Sequence, residues 1–264
     1  MTVRMRTSVA ILATASAMVV AAPSAGAAVS GSSHTTSAAA ATVYVVQGLP
    51  ATSIDVAIDG DQLAANVATA KVVGPFQVDA GTHTVTFTDA GGKVVATNTV
   101  RTDSGSSSDV VVHLQTAASK QPMVTQFPNS VSGVPADKAA VTVAHTAAVP
   151  PADIRVNGKV LFANIANGES LDVVVPAGTY RVDIVKAGET TPVVFGPVDL
   201  TVRGGTLTKV YAVGDPAAKT MNVAVHEIAM PRSGSAAPER IDTGTGGYAV
   251  FLQVFALLTR LWRG

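Results

Sequence analysis

The stretch that decides the fold is Asp153-Ile-Arg-Val-Asn-Gly158, which has a counterpart 98 residues earlier in Asp55-Val-Ala-Ile-Asp-Gly60. Each stretch ends in Asn-Gly or Asp-Gly, a pair that suits a two-residue type I′ turn because both turn residues have positive φ. Both stretches therefore predict a β-hairpin, and their similarity indicates a unit that occurs twice.

Further matches between the two halves follow in the same order along the chain. The matching segments are Ala65-Asn-Val-Ala68 with Ala163-Asn-Ile-Ala166, Asp79-Ala-Gly-Thr-His-Thr-Val85 with Pro176-Ala-Gly-Thr-Tyr-Arg-Val182, Val112-His113 with Val210-Tyr211, and Met123 with Met221. Agreement at several separated places predicts an internal duplication. We expect one unit over residues 42–129, a linker over 130–139 and a second unit over 140–229.

Each unit has the residue pattern of a β-sandwich. Short apolar runs alternate with Gly, Pro, Asn and Asp, and Tyr180, Val182 and Ile184 share one face of a predicted strand. We expect about seven strands in each unit. In the second unit they lie near residues 141–146, 153–157, 170–175, 179–186, 193–203, 206–213 and 220–228. The chain has no Cys, so core packing must stabilise both units without disulfides.

The N-terminal residues have the order of a secretory signal peptide. Two arginines precede an apolar stretch over residues 9–22, and Ala25-Gly-Ala27 supplies the small residues that a signal peptidase reads. We predict a signal peptide over residues 1–27 and a flexible leader over 28–41; the alternative is an N-terminal membrane anchor. Cleavage implies a protein that is secreted or held at the extracellular face of the cell envelope.

The C-terminal residues 248–264 predict an amphipathic helix after a Gly-, Ser- and Pro-rich linker over 230–247. Its apolar side chains share one arc, with Phe251, Phe255 and Trp262 as candidate membrane contacts. The apolar run would be about 17 Å long, too short to cross about 30 Å of hydrocarbon. Two other interpretations stay open: a helix docked on the sandwich, or a sorting signal that lacks the usual Leu-Pro.

The histidines are the first candidates for chemistry, and none has the short spacing of a zinc site. In the sequence match, His83 exchanges with Tyr180, and His113 exchanges with Tyr211. Such exchanges are typical of partly buried rings that combine an apolar body with a polar tip. We therefore expect structural roles for these two histidines.

His145 and the loop with Pro150 and Pro151 form the candidate functional loop. His145 ends a predicted strand directly before this loop. We expect its ring to anchor the loop by a hydrogen bond, with catalysis as the alternative.

An acidic group at Asp55, Asp59 and Asp61 raises the question of calcium. The second unit has Lys159 at the place of Asp61, and a lysine does not bind calcium. The turn interpretation explains both units, whereas calcium explains only one, so the turn is preferred. No catalytic, cofactor-binding or metal-binding residue is predicted.

Three segments resemble the family known as domain of unknown function 4397, which is found in exported bacterial proteins. They are residues 145–158, 176–182 and 210–214. The resemblance implies an all-β chain of two tandem immunoglobulin-like or transthyretin-like β-sandwich domains, here followed by the amphipathic helix, and it implies no known activity. The first unit departs from the pattern, with Gln47 in place of His145 and His83 in place of Tyr180. This departure argues against a role that both units share through those side chains.

The formal net charge is zero, with 18 basic and 18 acidic residues, so the chain has no electrostatic footprint for nucleic acid. We expect a non-catalytic envelope or secreted protein with a structural or adhesion-type binding role. Its expected partner is a protein or glycan at a surface, with no cofactor and with envelope contact through the C-terminal helix. The alternative is a hydrolase or carbohydrate-active domain, which two close acids or a pKa-shifted His145 would favour.

Overall fold

The computed structural model describes residues 39–115, 118–119, 121–130 and 133–230. These residues belong to one compact unit that begins at Ala38, and every regular element within them is a β-strand. The first eight strands are β1 (Ala41–Gln47), β2 (Ile54–Ile58), β3 (Asp61–Val67), β4 (Val72–Val78), β5 (Gly81–Asp89), β6 (Val94–Thr102), β7 (Ser107–Leu114) and β8 (Pro122–Pro128). The next eight are β9 (Lys138–Ala147), β10 (Ala152–Val156), β11 (Lys159–Ile165), β12 (Ser170–Pro176), β13 (Gly178–Lys186), β14 (Val193–Val202), β15 (Thr206–Gly214) and β16 (Asn222–Ala229).

The strands form four sheets of four strands each, which confirms the predicted all-β sandwich architecture. Sheet A has the order β4-β1-β7-β8 and sheet B the order β3-β2-β5-β6; together they make the first sandwich. Sheet C (β12-β9-β15-β16) and sheet D (β11-β10-β13-β14) make the second. The second pair of sheets has the order of the first with every strand number raised by eight. Only β1 with β7 and β9 with β15 are parallel among the described pairs.

The expectation of seven strands in each unit was wrong, because each sandwich has eight. The strand missed in the second unit is β11, which pairs with β10 through two register shifts at the edge of sheet D. Its side chains are mostly exposed or half-buried, and Ile165 alone is buried. A bulged edge strand lacks the alternation from which strands are predicted.

Both predicted hairpin turns are confirmed. The φ angles are 53° at Asp59 and 93° at Gly60, and 50° at Asn157 and 79° at Gly158. Positive φ at both turn residues is what a type I′ turn requires.

Three apolar clusters hold the fold together. The first lies between sheets A and B, around Val43, Ile54 and Phe87. The second lies between sheets C and D, around Ile154 and Ile184. The third joins sheet A to sheet C and contains Val46, Val111, Phe127, Ala144, Tyr211, Val213 and Ala224. The two sandwiches therefore pack directly on each other through their central sheets.

The register of the sheets shows how the two sandwiches correspond. Gln47 pairs with Val112, and its counterpart His145 pairs with Ala212. Val112 therefore corresponds to Ala212, which is 100 residues later, whereas β1 and β9 correspond at an offset of 98.

The sequence match of His113 with Tyr211 was consequently wrong by two residues. In the register of the sheets, His113 corresponds to Val213, and Tyr211 corresponds to Val111. Both segments are Val-rich, and a slip of two residues leaves every side chain on its original face. The hydrophobic pattern alone could not detect this slip.

Candidate functional site

The predicted loop is anchored from inside the protein. His145 is 2% exposed, and its Nε2–H donates to the carbonyl oxygen of Pro150 over 3.2 Å. Burial lowers the pKa of His145. Its Nδ1 is buried with no hydrogen-bond partner among the described residues. Pro150 and Pro151 are exposed, so the loop surface faces solvent while the histidine holds it from below.

Gln47 makes the same anchor in the first sandwich. Its Nε2 donates to the carbonyl oxygen of Thr52 over 3.0 Å, and its Oε1 accepts from the N–H of Leu49 over 2.8 Å. Thr52 lies 98 residues before Pro150, so the two side chains bond equivalent carbonyl groups. The Gln47 departure therefore does not argue against a shared anchoring role, because an amide N–H replaces the ring N–H here.

His83 and Tyr180 also share one contact. His83 Nε2 lies 2.8 Å from the carbonyl oxygen of Asp79, and Tyr180 Oη donates to that of Pro176 over 2.7 Å. Each ring thus binds the carbonyl four residues before it. His83 has a further partner, because its Nδ1 lies 2.6 Å from Asp59 Oδ2. The hydrogen bond to Asp59 is the main reason why the pKa of His83 is raised.

Two of the three carboxylates considered for calcium accept backbone hydrogen bonds, whereas Asp61 is exposed at the start of β3. Asp55 Oδ1 accepts from the N–H of Asn66 over 2.8 Å, while Asp59 Oδ1 accepts from the N–H of Thr84 over 2.8 Å. The hydrogen bond from His83 is the main cause that lowers the pKa of Asp59. No group of three or more His, Asp or Glu side chains that could hold a metal ion is found in the part of the chain that the structure describes.

A buried polar cluster lies where sheet A packs on sheet C. We call it the interface network; it consists of Asp109, Asn129, Lys209, Tyr211 and His226, each exposed by 8% or less. Asp109 is its centre. Asp109 Oδ2 accepts from Tyr211 Oη over 2.6 Å and from His226 Nδ1 over 2.9 Å, and Asp109 Oδ1 accepts from Asn129 Nδ2 over 2.8 Å.

Lys209 supplies the positive charge of the interface network. Its Nζ donates to Asn129 Oδ1 over 2.7 Å and to the carbonyl oxygen of Pro128 over 3.1 Å. Asn129 therefore connects the ammonium group to Asp109. Burial lowers the pKa of Lys209, while Asp109 opposes this shift. Burial raises the pKa of Asp109, but the hydrogen bond from His226 and the charge of Lys209 outweigh it, so the net pKa is below its usual value.

Asp109 and Lys209 occupy equivalent positions, since β7 and β15 correspond at an offset of 100 residues. Asp109 of the first sandwich and Lys209 of the second thus carry opposite charges at the same register position. Both side chains lie in the interface between the two sandwiches. The sequence held a signal for this pair: each charged residue adjoins a Val-rich run in a central strand. Buried charges of this kind are rare unless they are paired.

His113 lies at the same interface but is neutral. It is 0% exposed, and its Nδ1–H donates to the carbonyl oxygen of Leu114 over 3.0 Å. Its Nε2 accepts from Thr125 Oγ1 over 2.9 Å. Burial lowers the pKa of His113 to about 4.

The second sandwich contains an open apolar cavity of about 1130 Å³ between sheets C and D. Valine, leucine, isoleucine and phenylalanine side chains from both sheets form most of its wall, with Asn157, Lys159 and Asp199 as the amide and charged groups in the lining. A closed void of this volume would cost on the order of 27 kcal/mol. That exceeds the stability of a typical domain, about 5–15 kcal/mol. The opening must therefore hold solvent or a ligand.

The comparison with known families gives one result. Residues 41–155 match the model described as "Domain of unknown function (DUF4397)". The chain contains a DUF4397 domain. The matched range covers all eight strands of the first sandwich and continues through β9 into β10 of the second. The search of curated proteins finds no match.

The DUF4397 match confirms the family that the sequence resembles, although its position differs from the expectation. Of the three segments that carried the resemblance, only residues 145–155 lie inside it, and the segments at 176–182 and 210–214 lie beyond it. The anchored loop with His145 and Pro150 is thus within the DUF4397 match, whereas most of the apolar cavity wall is outside.

Several predicted features lie outside the described residues. They are the signal peptide over residues 1–27, most of the leader, and the C-terminal tail with Phe251, Phe255 and Trp262. Within the described ranges, no helix has the length and apolar character that crossing a membrane requires.

Proposed function

We propose that this chain is an exported, non-catalytic β-sandwich protein that acts by binding, either secreted or at the extracellular face of the cell envelope. The observation that carries the proposal is the cavity of the second sandwich. It is open, large and almost entirely apolar. A concave apolar site with few polar groups is the usual form of a small-molecule binding site.

The positions of the ionisable groups support a non-catalytic role. The pKa of His145 is lowered, and a shifted pKa of this ring is the feature that would favour the hydrolase alternative. Burial is the main cause of the shift, and the ring is 2% exposed against its own loop. Asp109 and His226 bind each other, and Lys209 binds Asn129, all inside the interface. The hydrolase alternative therefore gains no support from these groups.

The signal-like N-terminus supports export, and the absence of Cys means that the exported protein is stabilised without disulfides. The immunoglobulin-like or transthyretin-like character of the sandwiches and the amphipathic C-terminal helix belong to the same proposal. The helix would bring the protein to the envelope through Phe251, Phe255 and Trp262.

The test is to fractionate producing cells that express either the full chain or a chain lacking residues 240–264. We expect an N-terminus at or near Ala28 in both exported proteins, and more of the shortened form in the medium. Native mass spectrometry of the exported full chain should show a bound small molecule. An intact Met1, or a protein retained in the cytoplasm, would contradict the proposal.

A further inference from the structure

The first sandwich is closed by side-chain hydrogen bonds along the seam between β6 and β8. Asn98 Nδ2 donates to the carbonyl oxygen of Val124 over 3.0 Å. Gln126 Nε2 donates to the carbonyl oxygen of Arg101 over 2.8 Å, and Gln126 Oε1 accepts from the N–H of Arg101 over 3.3 Å. These bonds join sheet A to sheet B, because β8 belongs to sheet A and β6 to sheet B.

The corresponding seam of the second sandwich runs between β14 and β16 and has valine at both amide positions. Asn98 pairs with Val85 in sheet B, and Val198 pairs with Val182, the counterpart of Val85, in sheet D. Val198 therefore takes the place of Asn98.

The other amide is replaced in the same way. Gln126 pairs with Val110 in sheet A, and Val225 pairs with Val210 in sheet C. Val225 therefore takes the place of Gln126. Val198 is 41% exposed and Val225 is 46% exposed, and both line the cavity. Two apolar side chains thus flank an opening at the place where side-chain hydrogen bonds close the first sandwich.

The wall of the cavity favours a hydrocarbon chain as its occupant. Aliphatic side chains from both sheets line it, among them Val143, Val173, Ile184 and Leu200. Its volume of about 1130 Å³ is slightly above the usual range for small-molecule sites, about 300–1,000 Å³. An extended peptide would bring unpaired backbone N–H and C=O groups against this wall.

We propose that the second sandwich binds one linear aliphatic chain of the acyl type between sheets C and D. The chain enters through the seam flanked by Val198 and Val225, and its polar end stays in solvent. This inference rests on the proposed binding function and names its ligand class and its entrance.

The test uses the exported full chain and cis-parinaric acid, a linear fatty acid whose fluorescence rises in an apolar site. We expect saturable binding of one probe per chain. The variant Val198→Asn/Val225→Gln installs the two amides of the first sandwich, and we expect its Kd to rise at least about tenfold. The matched control is Asn98→Val/Gln126→Val in the first sandwich, which should keep the affinity of the parent. Circular dichroism checks that both variants are folded.

A second variant tests the wall independently of the seam. Ala212→Phe places a ring in the cavity, and we expect it to abolish saturable binding. Free palmitate and phosphatidylglycerol vesicles are then used as competitors of the bound probe. Displacement by palmitate indicates a free acid as the source of the chain, and displacement by the vesicles indicates a membrane lipid. Either result supports the proposal.

Two results would overturn the inference. One is unchanged probe affinity in folded Val198→Asn/Val225→Gln and Ala212→Phe. The other is a large gain in affinity when residues 240–264 are removed, which would make the C-terminal tail the occupant. In either case, the proposed binding function would still hold if the exported protein carried a different bound molecule. A failure of the acyl-chain inference can therefore be distinguished from a failure of the proposed function.

Discussion

Tyr211 and Asp109 join the two sandwiches by a hydrogen bond of 2.6 Å between Tyr211 Oη and Asp109 Oδ2, and neither side chain is exposed. The two residues are separated by 102 positions in the chain. A short bond to a buried carboxylate is stronger than one between neutral groups. The interface is therefore held by polar contacts as well as by its apolar cluster.

Tyr211→Phe should reduce the free energy of unfolding by about 2 kcal/mol, because a buried carboxylate loses a donor while the ring stays in place. Tyr44→Phe is the control, since the Tyr44 ring would keep its contact with His226 at 4.2 Å between centroids. Urea unfolding at pH 7.5 measures both. Equal losses in the two variants would show that the Tyr211 hydroxyl contributes nothing of its own.

Lys209→Met should be strongly destabilising, by about 3–5 kcal/mol, because it leaves Asp109 buried without its cation. The double variant Lys209→Met/Asp109→Asn removes both charges, and we expect it to be more stable than Lys209→Met alone. A double-mutant cycle measured by chemical unfolding gives the coupling energy. Additive effects of Lys209→Met and Asp109→Asn would mean that the two charges do not stabilise each other.

His145→Gln should be well tolerated, with a loss below about 1 kcal/mol, since Gln47 already makes the equivalent bond to Thr52. His145→Ala removes both the donor and the ring, and we expect a loss of about 2–3 kcal/mol from the cavity and the unpaired carbonyl of Pro150. Thermal melts compare the two variants. A similar loss in both would show that the hydrogen bond does not anchor the loop.

The sequence predicted those parts of the fold that short local signals determine. The turns at Asp59-Gly60 and Asn157-Gly158 need positive φ, and only a few residue types adopt it. The anchor at His145 was also predicted, because this residue ends a strand directly before the loop and its ring can reach the carbonyl groups there. Both features depend on residues close together in the chain.

The features that the sequence did not predict depend on distant residues. The interface network needs the outer faces of β7 and β15 to meet, and two Val-rich strands do not show which of their faces is covered. The seam at Val198 and Val225 is visible only after the register is known, because a valine in a strand usually indicates a packed face. Register is a property of strand pairs, so one strand's sequence leaves it open.

Asp59→Asn tests the ion pair and the calcium alternative together. Asn-Gly forms the same turn, and Asn157 Oδ1 already accepts from the N–H of Arg181 in the second sandwich. We expect the turn to persist and the raised pKa of His83 to fall towards its usual value, because its main cause is the bond to Asp59. NMR titration of the ring measures this, and an unchanged pKa would exclude the ion pair. Millimolar calcium should leave the melting temperature of both proteins unchanged.

His113 should make the protein less stable as the pH falls. Its folded-state pKa is about 4 and its ordinary value is 6.5, so the folded state binds fewer protons than the unfolded chain between these values. Stability is complete above pH 6.5 and is lost as the pH falls towards 4, by about 3 kcal/mol in total from this ring. His145 acts in the same direction, because burial lowers its pKa too.

The variant His113→Gln isolates this effect. It should lower the free energy of unfolding at pH 7.5 and make its decline between pH 6.5 and 4.5 shallower than in the parent. His83→Gln is the control of opposite sign, because a raised pKa stabilises the fold below pH 6.5 and that gain disappears as the pH rises through the folded-state value. With falling pH, the difference in the free energy of unfolding between the parent and His113→Gln should therefore shrink. The corresponding difference between the parent and His83→Gln should grow. Parallel pH profiles for the parent and His113→Gln would mean that the pKa of the ring is the same in the folded and the unfolded state, which would contradict the lowering by burial.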